Sequence, residues 1–71
     1  MKITYDAEVD ALSIVFRDAT VITQEWAEGV TGEYDAQGRL VGIEILDASQ
    51  RLGDVGGLQE IVVETVGGSA P

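Results

Sequence analysis

The sequence predicts a mainly β (α+β) fold, an antiparallel meander of about five strands with a short C-terminal helix. Three features point there. Short runs alternate apolar and polar residues up to Asp47, Asp- and Gly-containing turns separate them, and the stretch RLVGIEILD, Arg39 to Asp47, is apolar on both faces. No early segment alternates with a helix, which argues against a parallel α/β sheet.

Lys2 to Tyr5 alternates with Ile3 and Tyr5 on one face and predicts the first strand. Asp6 to Asp10, DAEVD, is a polar loop. Ala11 to Phe16, ALSIVF, resumes the alternation with Leu12, Ile14 and Phe16 inward, so the first two strands form a hairpin. Arg17, Asp18 and Ala19 suffice only for a turn into a third strand, Thr20 to Ala27, TVITQEWA. Neither face of that strand is cleanly apolar, which suits an edge, and Ile22 and Trp26 are its inward pair. Glu28-Gly29 supplies the next turn, Gly29 taking positive φ without steric cost.

Val30 to Tyr34 is the fourth strand, with Val30, Gly32 and Tyr34 in one row. A glycine inside a strand marks a bulge or the close approach of another group, and the Trp26 ring is the candidate neighbour. Asp35-Ala36-Gln37-Gly38 reads as a type I turn with Gly38 in the left-handed position. The fifth strand follows. Val41, Ile43 and Ile45 share one face, and Leu40, Gly42, Glu44 and Leu46 the other. Two leucines on the second face predict a central strand covered partly on each side.

Ala48 to Leu52 fits a single helical turn, and Gly53 to Gly57 is a glycine-rich break. Leu58 to Val66 has two readings. Helical spacing gathers Leu58, Ile61, Val62 and Val66 ahead of a Gly67 stop, whereas the β-branched triplet Ile61-Val62-Val63 suits a sixth strand. The helix is favoured. Residues 1–66 then form one small β-rich domain and 67–71 a flexible tail.

Composition excludes much chemistry. A chain of 71 residues lies near the lower limit for an independent core. It has no cysteine for disulfides or metal thiolates and no histidine for general base or metal work. Stability must come from good packing or self-association. With 4 basic against 13 acidic residues the net charge is −9, which repels nucleic-acid phosphates and suits solubility or a basic partner protein. No apolar run is long enough to span a membrane, and the start MKITYD lacks the apolar core of a signal peptide. A cytoplasmic location is expected.

The runs YDAEVDALSIVF, from Tyr5, and EYDAQGRLVGIEILDASQRL, from Glu33, resemble the family of short prokaryotic proteins filed as domain of unknown function 2283. That family shares a Y-D-x-x-x-D-A-L hairpin, an acidic middle strand, and then Y-D-x-x-G-x-(L/V)-V-G-I-E-I-L-(D/N)-A-S. The match covers roughly Lys2 to Leu52. The resemblance implies a small β-rich domain with no assigned activity, and it carries over no catalytic or binding residue. The chain departs from the pattern at Gly32, where a larger apolar residue is usual, and in its glycine-rich tail.

Three constellations have residue types that could carry chemistry. Asp6-x-Glu8-x-Asp10 has the opening spacing of a calcium loop, but Ala11 and Arg17 occupy the positions that need a glycine and a bidentate acid, so capping of backbone amides is favoured. Glu44, near Glu33 or Glu25 across the sheet, could form a carboxylate pair, but catalysis also needs a pocket. Pairing with Arg39 or Arg51, or plain exposure, is favoured. Tyr5, Phe16, Trp26 and Tyr34, with Arg17, Arg39 and Arg51, lack the positive groove of a single-strand nucleic-acid platform and read as core packing. The expectation is a non-enzymatic, self-associating interaction module, a homo-oligomer with a dimer favoured, without catalytic residue, cofactor or metal. The alternative is an acidic antidote-like partner of a basic protein, as in a toxin–antitoxin pair.

Overall fold

The computed structural model describes residues 1–53 and 62–67. Five strands form one antiparallel sheet: β1 (Lys2–Asp6), β2 (Ala11–Val15), β3 (Ile22–Ala27), β4 (Val30–Tyr34) and β5 (Leu40–Ile45). A short helix, α1 (Ala48–Leu52), follows directly, where a single helical turn is expected. Among the described residues no helix is long and apolar enough to cross a membrane.

The fold class is as expected, but the strand order is β1-β2-β5-β4-β3 rather than that of a simple meander. The β1–β2 hairpin forms, and β3, β4 and β5 run as a meander. The link Phe16–Val21 is not a hairpin turn. It crosses the end of β5 and β4, so that β2 lies beside β5 and β3 takes the far edge. Strands β2 to β5 thus make a Greek key. Side-chain chemistry explains the choice. β2 against β5 pairs Leu12 with Ile45 and Ile14 with Ile43, whereas β3 offers Thr23, Gln24 and Glu25 and belongs at a margin.

The fifth strand is central, as its two leucines suggest, but the cover expected on its second face is not what they serve. Leu40 does not share the face of Gly42 and Glu44, because the extra residue Val41 shifts it into line with Tyr34; Leu46 is 43% exposed just past the strand's end, and Glu44 is exposed. Two bulges bend the sheet. Trp26 is the extra residue where β3 passes β4, and Val41, fully buried, is the extra residue where β5 passes β4. Gly29 and Gly38 both take left-handed φ, 78° and 79°, as the turns at Glu28-Gly29 and Asp35-Gly38 require.

The helix favoured over Leu58–Val66 does not appear in its described part. Residues 62–66 are exposed and carry neither helix nor strand, in keeping with the low helix propensity of Val62, Val63, Thr65 and Val66. Residues 58–61, most of the break after Gly53, and 68–71 of the expected tail lie outside the described residues.

Candidate functional site

Strand register places the inward residues expected from the alternation on one face of the sheet, apart from Trp26 and Val41, which sit unpaired in the bulges, and it adds Leu40, which pairs with Tyr34. One row runs Tyr5, Leu12, Ile45, Val30, and the next runs Ile3, Ile14, Ile43, Gly32, Gln24. Phe16, whose N–H donates to the Val41 carbonyl at 2.8 Å, and the Ile22–Tyr34 pair complete the face toward the other end. No charged side chain lies in these rows. The centre is well packed, with Leu12 and Val41 buried. Toward the margins the face opens: Ile22 is 65% exposed, Trp26 45%, Phe16 40% and Tyr5 38%. The aromatics are therefore on the apolar face but frame its rim, and the expectation that they serve only as core is corrected by this exposure.

Gly32 shapes this face. A Cβ there would lie 2.4 Å from the Trp26 ring, so only glycine lets the indole lie flat across β4. The indole N–H then donates to the Tyr34 hydroxyl at 2.9 Å. The close approach read from the strand-interior glycine is present, with the neighbour expected.

The opposite face is polar. Its rows run Thr4, Ser13, Glu44, Thr31, Glu25 and Lys2, Val15, Gly42, Glu33, Thr23. Glu44 thus faces hydroxyls on both neighbouring strands. Glu33 is a diagonal neighbour that folds over Gly42, its Oε1 lying 2.7 Å from where a Cβ would stand, and Glu25 is two strands away. Separation of the carboxylates by Ser and Thr limits repulsion on an acidic surface, and no acid–base pair is assembled. Glu44 pairs with neither Arg39 nor Arg51, which are engaged elsewhere.

Each end of the sheet is pinned by an aspartate. At one end Asp35, 4% exposed, accepts the N–H groups of Gln37 and Arg39 on Oδ1, both at 2.9 Å, and on Oδ2 the guanidiniums of Arg17 and of Arg39, the latter at 3.0 Å. The Arg39 amide, then the two guanidiniums and the Gln37 amide, hold this carboxyl well below the usual carboxylate range against the opposing effect of desolvation. With every oxygen used, Asp35 has no spare lone pair for a ligand in the shallow depression of about 360 Å³ that it lines with Ile22, Gln24 and Tyr34.

At the other end Asp10 accepts the Tyr5 hydroxyl at 2.6 Å, the Ser49 hydroxyl at 2.7 Å and the Ser49 N–H at 3.0 Å, while its own carbonyl accepts the Ala48 N–H. The bond from Tyr5, then those from Ser49, lower the Asp10 pKa, and the same contact raises that of Tyr5. Asp10 thereby caps α1 from a distant loop, since Asp47, at the helix start, makes no side-chain cap bond. Asp6 accepts the Glu8 N–H at 3.0 Å. The acidic loop therefore caps amides, the role favoured from its sequence.

Arg51 donates to the backbone carbonyls of Leu46 and Glu28, tying α1 to the β3–β4 turn. Sequence reasoning missed the Arg17–Asp35–Arg39 cluster and the Asp10–Ser49 clamp. The available signals were the repeated Tyr-Asp-Ala, at Tyr5 and at Tyr34, and the Asp-Ala-Ser after β5, whose Ser49 meets Asp10 in the loop that follows the first repeat.

Residues 2–49 match the model of the family described as Protein of unknown function (DUF2283), and the chain belongs to that family. No curated protein and no solved structure matches the chain.

Proposed function

We propose that the protein is a cytoplasmic self-associating interaction module, a dimer in which the apolar sheet face of one copy lies on the same face of another. The observation that carries this reading is the uncharged face itself: in a chain of net charge −9, the strand rows on one side of the sheet bear no charged side chain among the described residues, and Ile22, Trp26, Phe16 and Tyr5 are substantially open to water. Two copies of so acidic a chain repel on balance, so an uncharged face is where they can meet. Five strands about 4.8 Å apart and about six residues long give a footprint of roughly 24 by 20 Å per copy. The area hidden by two such faces, on the order of 1,000 Å², is at the threshold of a specific interface. The exposed aromatics are the residue types that interfaces favour.

Light scattering coupled to size exclusion at micromolar concentration should give twice the 7.5 kDa chain mass. Ile22→Asp should weaken association by at least about 100-fold, because a dimer would bury an unpaired charge, while leaving the circular dichroism of the sheet unchanged. A wild-type mass of 7.5 kDa would overturn the reading.

The polar face favours a second reading. Glu25, Glu33 and Glu44 share it, which suits a basic protein partner of the antidote type. The two readings use opposite faces. Neither assigns a catalytic residue or a cofactor.

A further inference from the structure

We infer that the two copies stack antiparallel, the twofold axis lying in the plane between the sheets and across the strands, so that the end carrying Lys2, Arg17 and Arg39 meets the partner's end carrying Asp6, Glu8, Glu28 and Asp47. This rests on the face-to-face dimer proposed above and specifies its geometry.

The argument begins with where the chain puts its few cations. Three of its four basic residues gather at one end of the sheet, although they are far apart in sequence. Lys2 opens β1 opposite Val15, Arg17 follows β2, and Arg39 precedes β5, and the antiparallel pairings bring these three strand ends together. Lys2 and Arg17 line one groove, and Arg17 and Arg39 share Asp35. That single carboxylate leaves two guanidiniums with one counter-charge; Asp18 and Glu33, the latter in the Lys2 row of the polar face, are further acids at this end, which therefore carries as many cations as carboxylates while the opposite end is strongly acidic.

The opposite end holds the β1–β2 loop with Asp6 and Glu8, the β3–β4 turn with Glu28, and Asp47 after β5. These segments are adjacent, since the Leu46 N–H donates to the Gly29 carbonyl and the Ala48 N–H to that of Asp10. The cation at this end, Arg51, is spent on the carbonyls of Leu46 and Glu28. The sheet is therefore a dipole along its strands.

A twofold axis between stacked sheets runs either along the strands or across them. An axis along the strands sets acidic end against acidic end, whereas an axis across them sets each acidic end against the end that holds the cations. The ends of stacked sheets are about 10 Å apart, close to the Debye length of about 8 Å at physiological salt, so the difference between the two arrangements is felt.

The chain lacks cysteine, so single nitroxide labels can be placed at Ala7→Cys and Gln37→Cys, exposed positions in the loops at the two ends. Pulsed dipolar spectroscopy on the full chain reads the orientation. From about 3.3 Å per residue along a strand and about 10 Å between sheets, antiparallel stacking predicts 37-to-37 distances beyond about 20 Å and, in an equal mixture of the two labelled chains, 7-to-37 distances near 15 Å. A 37-to-37 distance near 10 Å at a dimer mass would overturn the antiparallel geometry and leave self-association standing. No intermolecular distance, with a monomer mass, would overturn both.

Discussion

The chain uses Tyr-Asp-Ala twice, at Tyr5 and at Tyr34, and folds both into the same local turn. Asp6 accepts the amide two residues on at 3.0 Å, and Asp35 does so at 2.9 Å. The two turns then part ways. Asp35 is buried and draws in Arg39 from its own turn and Arg17 from the link that carries the chain from β2 past β5 and β4 to the far edge. Asp6 stays exposed, and long-range work in its loop passes to Asp10, which takes neutral donors from Tyr5 and Ser49. A carboxylate closed in by two guanidiniums locks a crossover that defines the topology. A carboxylate held by hydroxyls and an amide docks one turn of helix onto a sheet already formed.

The comparison breaks most visibly at Asp35. Asp35→Ala strands Arg17, Arg39 and two amides at once, and the melting temperature is expected to fall by more than about 10 °C, with loss of the whole sheet in circular dichroism. Asp10→Ala should cost less, about 3–5 °C, and act locally: hydrogen exchange should rise across Ala48–Leu52 while the amides of β2, β4 and β5 stay protected. Equal and global effects of the two substitutions would erase the distinction between the two aspartates.

The smallest effect is in pH, and it sharpens the contrast. Both aspartates have lowered native pKa values, so their contributions are complete above about pH 4, the ordinary carboxyl value, and fade as pH falls through the lower native values. An alkaline limb is expected at the Asp10 end. Tyr5 is raised above the ordinary phenol value, so its bond to Asp10 is intact below about pH 10 and is lost as pH climbs through the native value. Carbon-13 shifts of the Tyr5 ring and the Ser49 side chain should move together there, with the Asp35–Gly38 turn unmoved.

Local features were legible in the sequence because they depend on nearest neighbours. Alternation located all five strands, Gly29 and Gly38 announced positive φ, and Gly32 announced the Trp26 ring. Strand order was not legible, because six residues from Phe16 to Val21 can either turn or cross, and the choice rests on which strand offers the better partner for Ile14. The Asp35 cluster was hidden for a related reason. Arg17 and Asp35 meet only because of that crossing, and nothing at either position alone says so. The apolar face was readable residue by residue, but how open its margin is depends on what the remainder of the chain covers.

Trp26 is the sole indole of the chain, and the missing side chain at Gly32 seats it within the uncharged surface. Its ultraviolet emission is consequently a built-in optical gauge of that surface alone. Whatever dries the ring shifts the light to the blue, so any molecule that covers this face is reported without a dye.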